Sequence, residues 1–187
     1  MKSLIEKIRQ ESEGKEIFIV AIDGRSASGK TTLASEICKE LDCNIIHTDD
    51  FFLQPFQRTK ERYAEAGGNL DRERLLKEVL IPLREGKSIS YRPFICHSMS
   101  FGEEIILTEK RITVVEGSYS CHPELKDFYN LTVFVTTDKE TQRLRILERN
   151  GEEKLKAFEE KWIPLEERYF EEYRVQASAD VVVKSSK

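Results

Sequence analysis

The stretch that most limits what this chain can fold into runs from residue 17 to residue 32: Ile-Phe-Ile-Val-Ala-Ile-Asp-Gly-Arg-Ser-Ala-Ser-Gly-Lys-Thr-Thr. Ile17 to Ile22 is apolar without alternation, which predicts a strand buried on both faces. The run then breaks into a G-x-x-x-x-G-K-T pattern at Gly24, Gly29, Lys30 and Thr31. In that pattern backbone N–H groups turn inward on an anion, and the next helix presents its positive dipole end to the same charge. Gly24 and Gly29 allow dihedrals and close backbone approach that a Cβ would obstruct. Leu33, Ile37 and Leu41 recur four apart on the helix that follows. The loop residues Gly24, Arg25, Ser26, Ala27, Ser28, Gly29, Lys30, Thr31 and Thr32 are therefore the candidate site for a nucleoside triphosphate. Lys30 is placed to reach the β and γ phosphates, and the Thr31 hydroxyl to complete a Mg²⁺ shell.

Five apolar runs are candidates for one sheet: Ile17 to Ile22, Asn44 to His47, Ile112 to Glu116, Leu131 to Val135 and Asp180 to Val183. Helical patterns separate most of them, which predicts an α/β fold with a five-stranded parallel sheet and helices on both faces. With 187 residues and no long polar linker, one domain over 1–187 accounts for the whole chain. Met1 to Gln10 reads as an amphipathic helix without the apolar core of a signal peptide, and no segment reaches the length of a membrane span. Thirty basic against thirty-four acidic residues, interspersed, argue against a nucleic-acid footprint. Cys38, Cys43, Cys96 and Cys121 lack C-x-x-C spacing and are read as four reduced thiols of a cytoplasmic protein.

Within this frame Leu70 to Leu83 forms a helix with a buried stripe at Leu75, Leu76, Val79, Leu80 and Leu83, disturbed near its end by Pro82. Ser88 to Thr108 loosens into a small hairpin, so that about 50–108 is an insertion able to cover an acceptor site. Pro123 marks a first helical turn, Asp138 an N-cap, and Gly151 the end of the helix that begins there. A charged helical stretch from Glu152 to Arg174 is interrupted at Pro164.

Ligands of parallel α/β sheets lie beyond the carboxyl ends of the strands. The second run is followed there by Asp49 and Asp50, either of which suits a magnesium ion or a substrate hydroxyl. The third run ends in Glu116-Gly117, which makes Glu116 a further metal-side carboxylate beside Thr31 and Asp49. Asp23 precedes the first glycine and is read as shaping the loop. Arg145 and Arg149 share a helix face next to Gly151, a spacing suited to closing over phosphoryl oxygens from a helical lid at about 145–165.

These motifs, in this order, resemble the uridine kinase family and its phosphoribulokinase and nicotinamide riboside kinase relatives among proteins of the P-loop NTPase fold. The resemblance rests on Gly24 to Thr31, Thr48-Asp49-Asp50-Phe51-Phe52, Asn69-Leu70-Asp71, Leu83-Arg84-Glu85-Gly86-Lys87, Val115-Glu116-Gly117 and the arginine-bearing lid, and it runs over nearly the whole chain. It implies an ATP-dependent kinase acting with Mg²⁺ on a small nucleoside-like acceptor. It further implies Asp49 as the base, Lys30, Arg145 and Arg149 as catalytic cations, Asp71 as a holder of the ribose, and Tyr91 and His97 as contacts to the base. Two departures stand out: the family's Tyr-Asp dipeptide is replaced by Tyr91-Arg92, and Ile146 follows Arg145 where the family pairs adjacent arginines. A kinase for another alcohol, such as nicotinamide riboside or pantothenate, is the alternative. A nucleotide-dependent switch is the rival of another class, for which no Asn-Lys-x-Asp element is present.

Overall fold

In a computed structural model, which describes residues 2–185, the chain opens with helix α1 (Lys2–Ser12), whose buried residues are Leu4, Ile5, Ile8 and Ser12. Met1, counted in the expected helix, lies outside the described residues. Strand β1 (Phe18–Gly24) passes through the glycine loop into α2 (Lys30–Leu41), and β2 (Asn44–His47) follows after a single turn. The chain then leaves the sheet. A 3₁₀ turn (Thr48–Phe51) leads to the short α3 (Lys60–Ala64), then to α4 (Arg72–Leu75), a π turn (Leu76–Leu80) and α5 (Ile81–Arg84). Four two-residue strands come next: β3 (Ser90–Tyr91), β4 (Phe94–Ile95), β5 (Ser100–Phe101) and β6 (Ile105–Ile106). Because β3 pairs with β6 and β4 with β5, both antiparallel, the expected hairpin is one bent ribbon.

The chain re-enters the sheet with β7 (Ile112–Glu116), crosses by α6 (Pro123–Lys126) to β8 (Leu131–Thr136), and continues into α7 (Lys139–Ala157). A second π turn (Phe158–Trp162), α8 (Ile163–Glu172), α9 (Val175–Ser178) and β9 (Val181–Lys184) complete it. The sheet order is β2-β7-β1-β8-β9, with every neighbouring pair parallel. All five strands therefore end on one edge. Alternate residues of β1 enter opposite cores: Ile19 packs with α4, α5 and α8, whereas Phe18, Val20 and Ile22 pack with α1 and α2.

Local chemistry explains the irregular helices. Each π turn is followed, after one residue, by a proline, Pro82 or Pro164. A proline ring carries no N–H and crowds the carbonyl four residues back, so a widened turn relieves both problems. Gly151, at φ 81° and ψ 173°, breaks α7 where the sequence ended that helix. Asp138 caps α7 by accepting from Thr141 N–H at 2.8 Å, and Pro123 opens α6.

One expectation is corrected. Cys38 and Cys43 are joined in a disulfide, leaving Cys96 and Cys121 as free thiols. The physical reason is the turn between them: Asp42, in the left-handed conformation at φ 47°, folds the chain from α2 back into β2 and brings the two Cα atoms to 4.7 Å.

Candidate active site

At the carboxyl edge of the sheet lies a cleft of about 890 Å³ whose wall includes Ser26 to Leu33 of the glycine loop and α2. Gly24, at φ 143°, cannot carry a side chain, because a Cβ there would sit 1.9 Å from the Val135 carbonyl oxygen. That contact seats the loop against the end of β8. Lys30 is nearly buried, and its ammonium group donates to the carbonyl oxygens of Gly24 (2.8 Å) and Arg25 (3.0 Å). Arg25 turns its side chain away from the cleft. Its guanidinium donates to Glu167 at 2.6 and 2.9 Å and to Thr136 at 2.8 Å, and lies over the rings of Phe134 and Phe170. As a brace for α8 it leaves only backbone to an anion.

Strand register assembles the opposite wall. Glu116 pairs with Ile22 on one side and His47 on the other. Its buried carboxylate accepts from Thr31 Oγ1 at 3.1 Å, and the same oxygen lies 2.6 Å from His47 Nδ1. This hydrogen bond to Glu116 raises the His47 pKa above its ordinary value, against the opposing effect of burial. Gly117 then turns at φ 135°, where a Cβ would meet Thr48 Oγ1 at 2.0 Å, and Thr48 Oγ1 donates to the Ser118 carbonyl at 3.1 Å. Stitched in this way, the ends of β2 and β7 place Asp49 on the cleft wall with Glu116.

The two adjacent aspartates separate into different roles. Asp49 reaches water at the cleft, and the dense protein around it, followed by the charge of Glu116, pushes its carboxyl up despite Lys30. Asp50 instead accepts from the Tyr91 hydroxyl at 3.0 Å, and burial raises its pKa too. Asp23 is fully buried and accepts from Gly24 N–H (2.7 Å), Cys121 N–H (3.0 Å) and the Tyr169 hydroxyl (2.8 Å). Desolvation raises it to about 6. It shapes the loop, as read from the sequence.

The donor set of Thr31 and Glu116, hydroxyl and carboxylate oxygen, fits a hard cation such as Mg²⁺. Among the described residues no group of three or more His, Cys, Asp or Glu side chains is gathered as a metal cage. A magnesium ion in this cleft would therefore draw its other ligands from phosphate oxygens and water, as magnesium usually does.

Arg145 and Arg149 both reach the cleft wall from α7. Arg145 donates to the Ala27 carbonyl at 3.2 Å and to Ser185 Oγ at 2.9 Å, while Arg149 donates to Asn150 Oδ1 at 2.9 Å. Phe158 and Trp162 of the second π turn add apolar surface.

The three residues expected at the acceptor are not brought together. Asp71 is fully buried and caps α4, accepting from Arg74 N–H at 3.2 Å. Tyr91 is buried between Asp50 and the ring of Phe51, which is 5.0 Å away between centroids. His97 is exposed at the turn of the ribbon. Asn69, Phe52, Tyr119 and Glu166 line the cleft instead. Phe52 and Asn69 belong to the stretches Thr48 to Phe52 and Asn69 to Asp71 that carry the family resemblance, whereas Tyr119 and Glu166 stand in no motif: Glu166 sits in a run of charges, and its burial appears only once α8 has docked.

Residues 19–184 match the family model described as Phosphoribulokinase / Uridine kinase family. Uridine-cytidine kinase B of Dictyostelium discoideum is 30% identical over an alignment of 158 residues that covers 79% of this chain and 64% of that protein. Uridine kinase of Haemophilus influenzae (strain PittGG) is 31% identical over 152 residues, covering 73% of this chain and 70% of the relative. The matches thus span about two thirds of the length of these relatives. A solved structure from Bacillus stearothermophilus, described as a possible uridine kinase, superposes with a TM-score of 0.67 at 20% identity, covering 97% of this chain and 99% of that one. A phosphate loop on a parallel sheet with this strand order, and a family match over nearly its full length, lead to one statement: the chain belongs to the phosphoribulokinase/uridine kinase family of P-loop kinases.

Proposed function

We propose that this protein transfers the γ-phosphoryl group of ATP to a hydroxyl of a small metabolite, with the 5′-hydroxyl of a nucleoside such as uridine or cytidine as the first choice of acceptor. The observation that carries the reading is the meeting of Lys30, Thr31, Glu116, Asp49, Arg145 and Arg149 on the wall of one cleft. A nucleotide-binding loop alone needs no strand-end base; Asp49 supplies one.

Transfer of this kind depends mostly on positioning and charge neutralisation. The loop backbone and Lys30 hold the triphosphate, for which the Lys30 ammonium exchanges the Gly24 and Arg25 carbonyls for phosphate oxygens. Magnesium, held by Thr31 and Glu116, would neutralise charge on the β and γ phosphates. Asp49 orients the acceptor hydroxyl and takes its proton as that oxygen bonds to the γ-phosphorus and the bond to the β-phosphate oxygen breaks. Arg145 and Arg149 on the cleft wall would cover the transferring charge, and the break in their helix at Gly151 would serve as the hinge of a lid.

A second acceptor reading is favoured by one observation. Tyr91 is committed to Asp50 and His97 faces solvent, so neither wall of the ribbon presents the base contacts that the family resemblance implies. Another alcohol, nicotinamide riboside or pantothenate among them, fits such a site as well. ADP release measured across a panel of nucleosides and non-nucleoside alcohols tests both. Stimulation by a nucleoside supports the first reading, by another alcohol the second, and no stimulation by any of them would sink the kinase proposal.

A further inference from the structure

Ser26, third residue of the phosphate loop, is gripped from two helices. Gln142 of α7 donates to its carbonyl oxygen at 3.1 Å. Glu166 of α8, only 4% exposed, accepts from the Ser26 N–H at 3.0 Å, from Ser26 Oγ at 2.5 Å and from Ser118 Oγ at 2.9 Å. The next residue, Glu167, holds Arg25. A carboxylate taken out of water is costly unless hydrogen bonds compensate it, and here the three donors come from two functional loops. Ser26 belongs to the loop that holds the triphosphate. Ser118 stands two residues beyond Glu116, the metal-side carboxylate, and its carbonyl oxygen accepts from Thr48 Oγ1, the residue before Asp49 in the turn after β2. Glu166 itself lies on the cleft wall.

We infer that Glu166 is a positioning residue for phosphoryl transfer, fixing the phosphate loop and the loop after β7 in one frame through Ser26 and Ser118. The inference rests on the kinase reading of the cleft. Its consequence is that donor alignment depends on a helix beyond the arginine-bearing segment, so docking of α8 sets the distance between the triphosphate and the metal-side residues. Misplacement of reacting groups by about 1 Å is enough to cost on the order of 10²-fold in rate.

The test uses Glu166→Ala, Glu166→Gln, Ser118→Ala and the Ser118→Ala/Glu166→Ala double variant. Turnover is measured with the best acceptor, and Mg·ATP binding by calorimetry without one. Glu166→Ala is expected to lower kcat and weaken Mg·ATP each by about ten-fold, with the acceptor KM little changed. Glu166→Gln keeps a carbonyl oxygen for the Ser26 N–H and is expected to stay within about three-fold of the parent. Ser118→Ala should cost about three-fold alone and little in the Glu166→Ala background, since groups acting through one contact are non-additive. Unchanged turnover in Glu166→Ala, or equal losses in the Ala and Gln variants with a fully additive Ser118→Ala effect, would overturn the inference in favour of a packing role. Tighter Mg·ATP binding in Glu166→Ala would overturn it too, because the carboxylate would then be competing with phosphate. If Glu166→Ala fails to fold, the Gln and Ser118 variants still decide. Should the parent protein use no acceptor, the kinase reading falls, whereas the calorimetric pattern continues to judge Glu166 by itself.

Discussion

The two halves of the cleft are built by different means. On the donor side, Gly24, Glu116 and the turn carrying Asp49 stand at the ends of adjacent parallel strands, and sheet register fixes their spacing. On the acceptor side, the segment from Phe51 to Thr108 pairs with the five-stranded sheet nowhere among the described residues; its backbone hydrogen bonds are internal, and side chains set how it lies against the rest. Arg74 lies over the rings of Phe51 and Phe101 at 5.2 and 4.7 Å and donates to the Arg92 carbonyl, while Tyr91 reaches Asp50. A wall set by backbone hydrogen bonds tolerates little change. One set by side chains can be re-cut for a new acceptor without disturbing the donor, which is the lesson of the contrast.

The contrast can be broken by substitutions on either side. Lys30→Ala should have the largest effect, a loss of about 10³-fold in turnover, since it removes a preorganised positive charge from the donor wall. Asp49→Asn should cost about 10²-fold in kcat while Mg·ATP binding, followed by calorimetry, stays near that of the parent. Because the protein packed around Asp49 and the charge of Glu116 hold its carboxyl above the ordinary aspartate value, the acid limb of the parent's kcat profile should lie above that value, with turnover falling as pH drops through it and the base takes up its proton. A limb at or below the ordinary value would remove Asp49 from the role.

Effects on the acceptor side should be smaller and of another kind. Asp71→Ala removes the cap of α4 and should lower stability to denaturant by about 1 kcal/mol, leaving the acceptor KM within about three-fold. A rise of KM well beyond that would return Asp71 to the ribose-binding role that the family resemblance suggests. Tyr91→Phe frees Asp50 and should reduce turnover by about three-fold through looser placement of the neighbouring Asp49, the loss of one hydrogen bond of about 1 kcal/mol or less. His97→Ala, at the exposed turn, should leave kcat/KM within about two-fold of the parent for every acceptor. A large acceptor-specific loss there would show that the ribbon folds over the cleft with substrate bound.

Much of the donor half was legible because its signals are local. The G-x-x-x-x-G-K-T pattern requires a strand before it and a helix after it, and both are present as β1 and α2. Asp138, Pro123 and Gly151 mark boundaries through caps and backbone conformation that a few neighbouring residues decide. The acceptor half was legible only as an insertion. Whether Tyr91 turns toward the cleft or toward Asp50 depends on where Phe51 and Arg74 stand, and those come from other elements. The same limit applied to the cysteines: Cys38 and Cys43 meet because Asp42 takes a left-handed turn, which their spacing does not announce.

By itself, then, the sequence determined a phosphate loop, a parallel α/β sheet and the carboxylates at its strand ends, since hydrophobic period, glycine placement and strand-end rules act over a few residues. Only the tertiary structure decided that Arg25 is a brace, that His47 shares the oxygen of Glu116, that Asp49 rather than Asp50 reaches the cleft, and that Glu166 ties α8 to Ser26 and Ser118. Each of these joins residues distant in the chain, and the direction of a side chain among them is set by which helix or strand packs beside it.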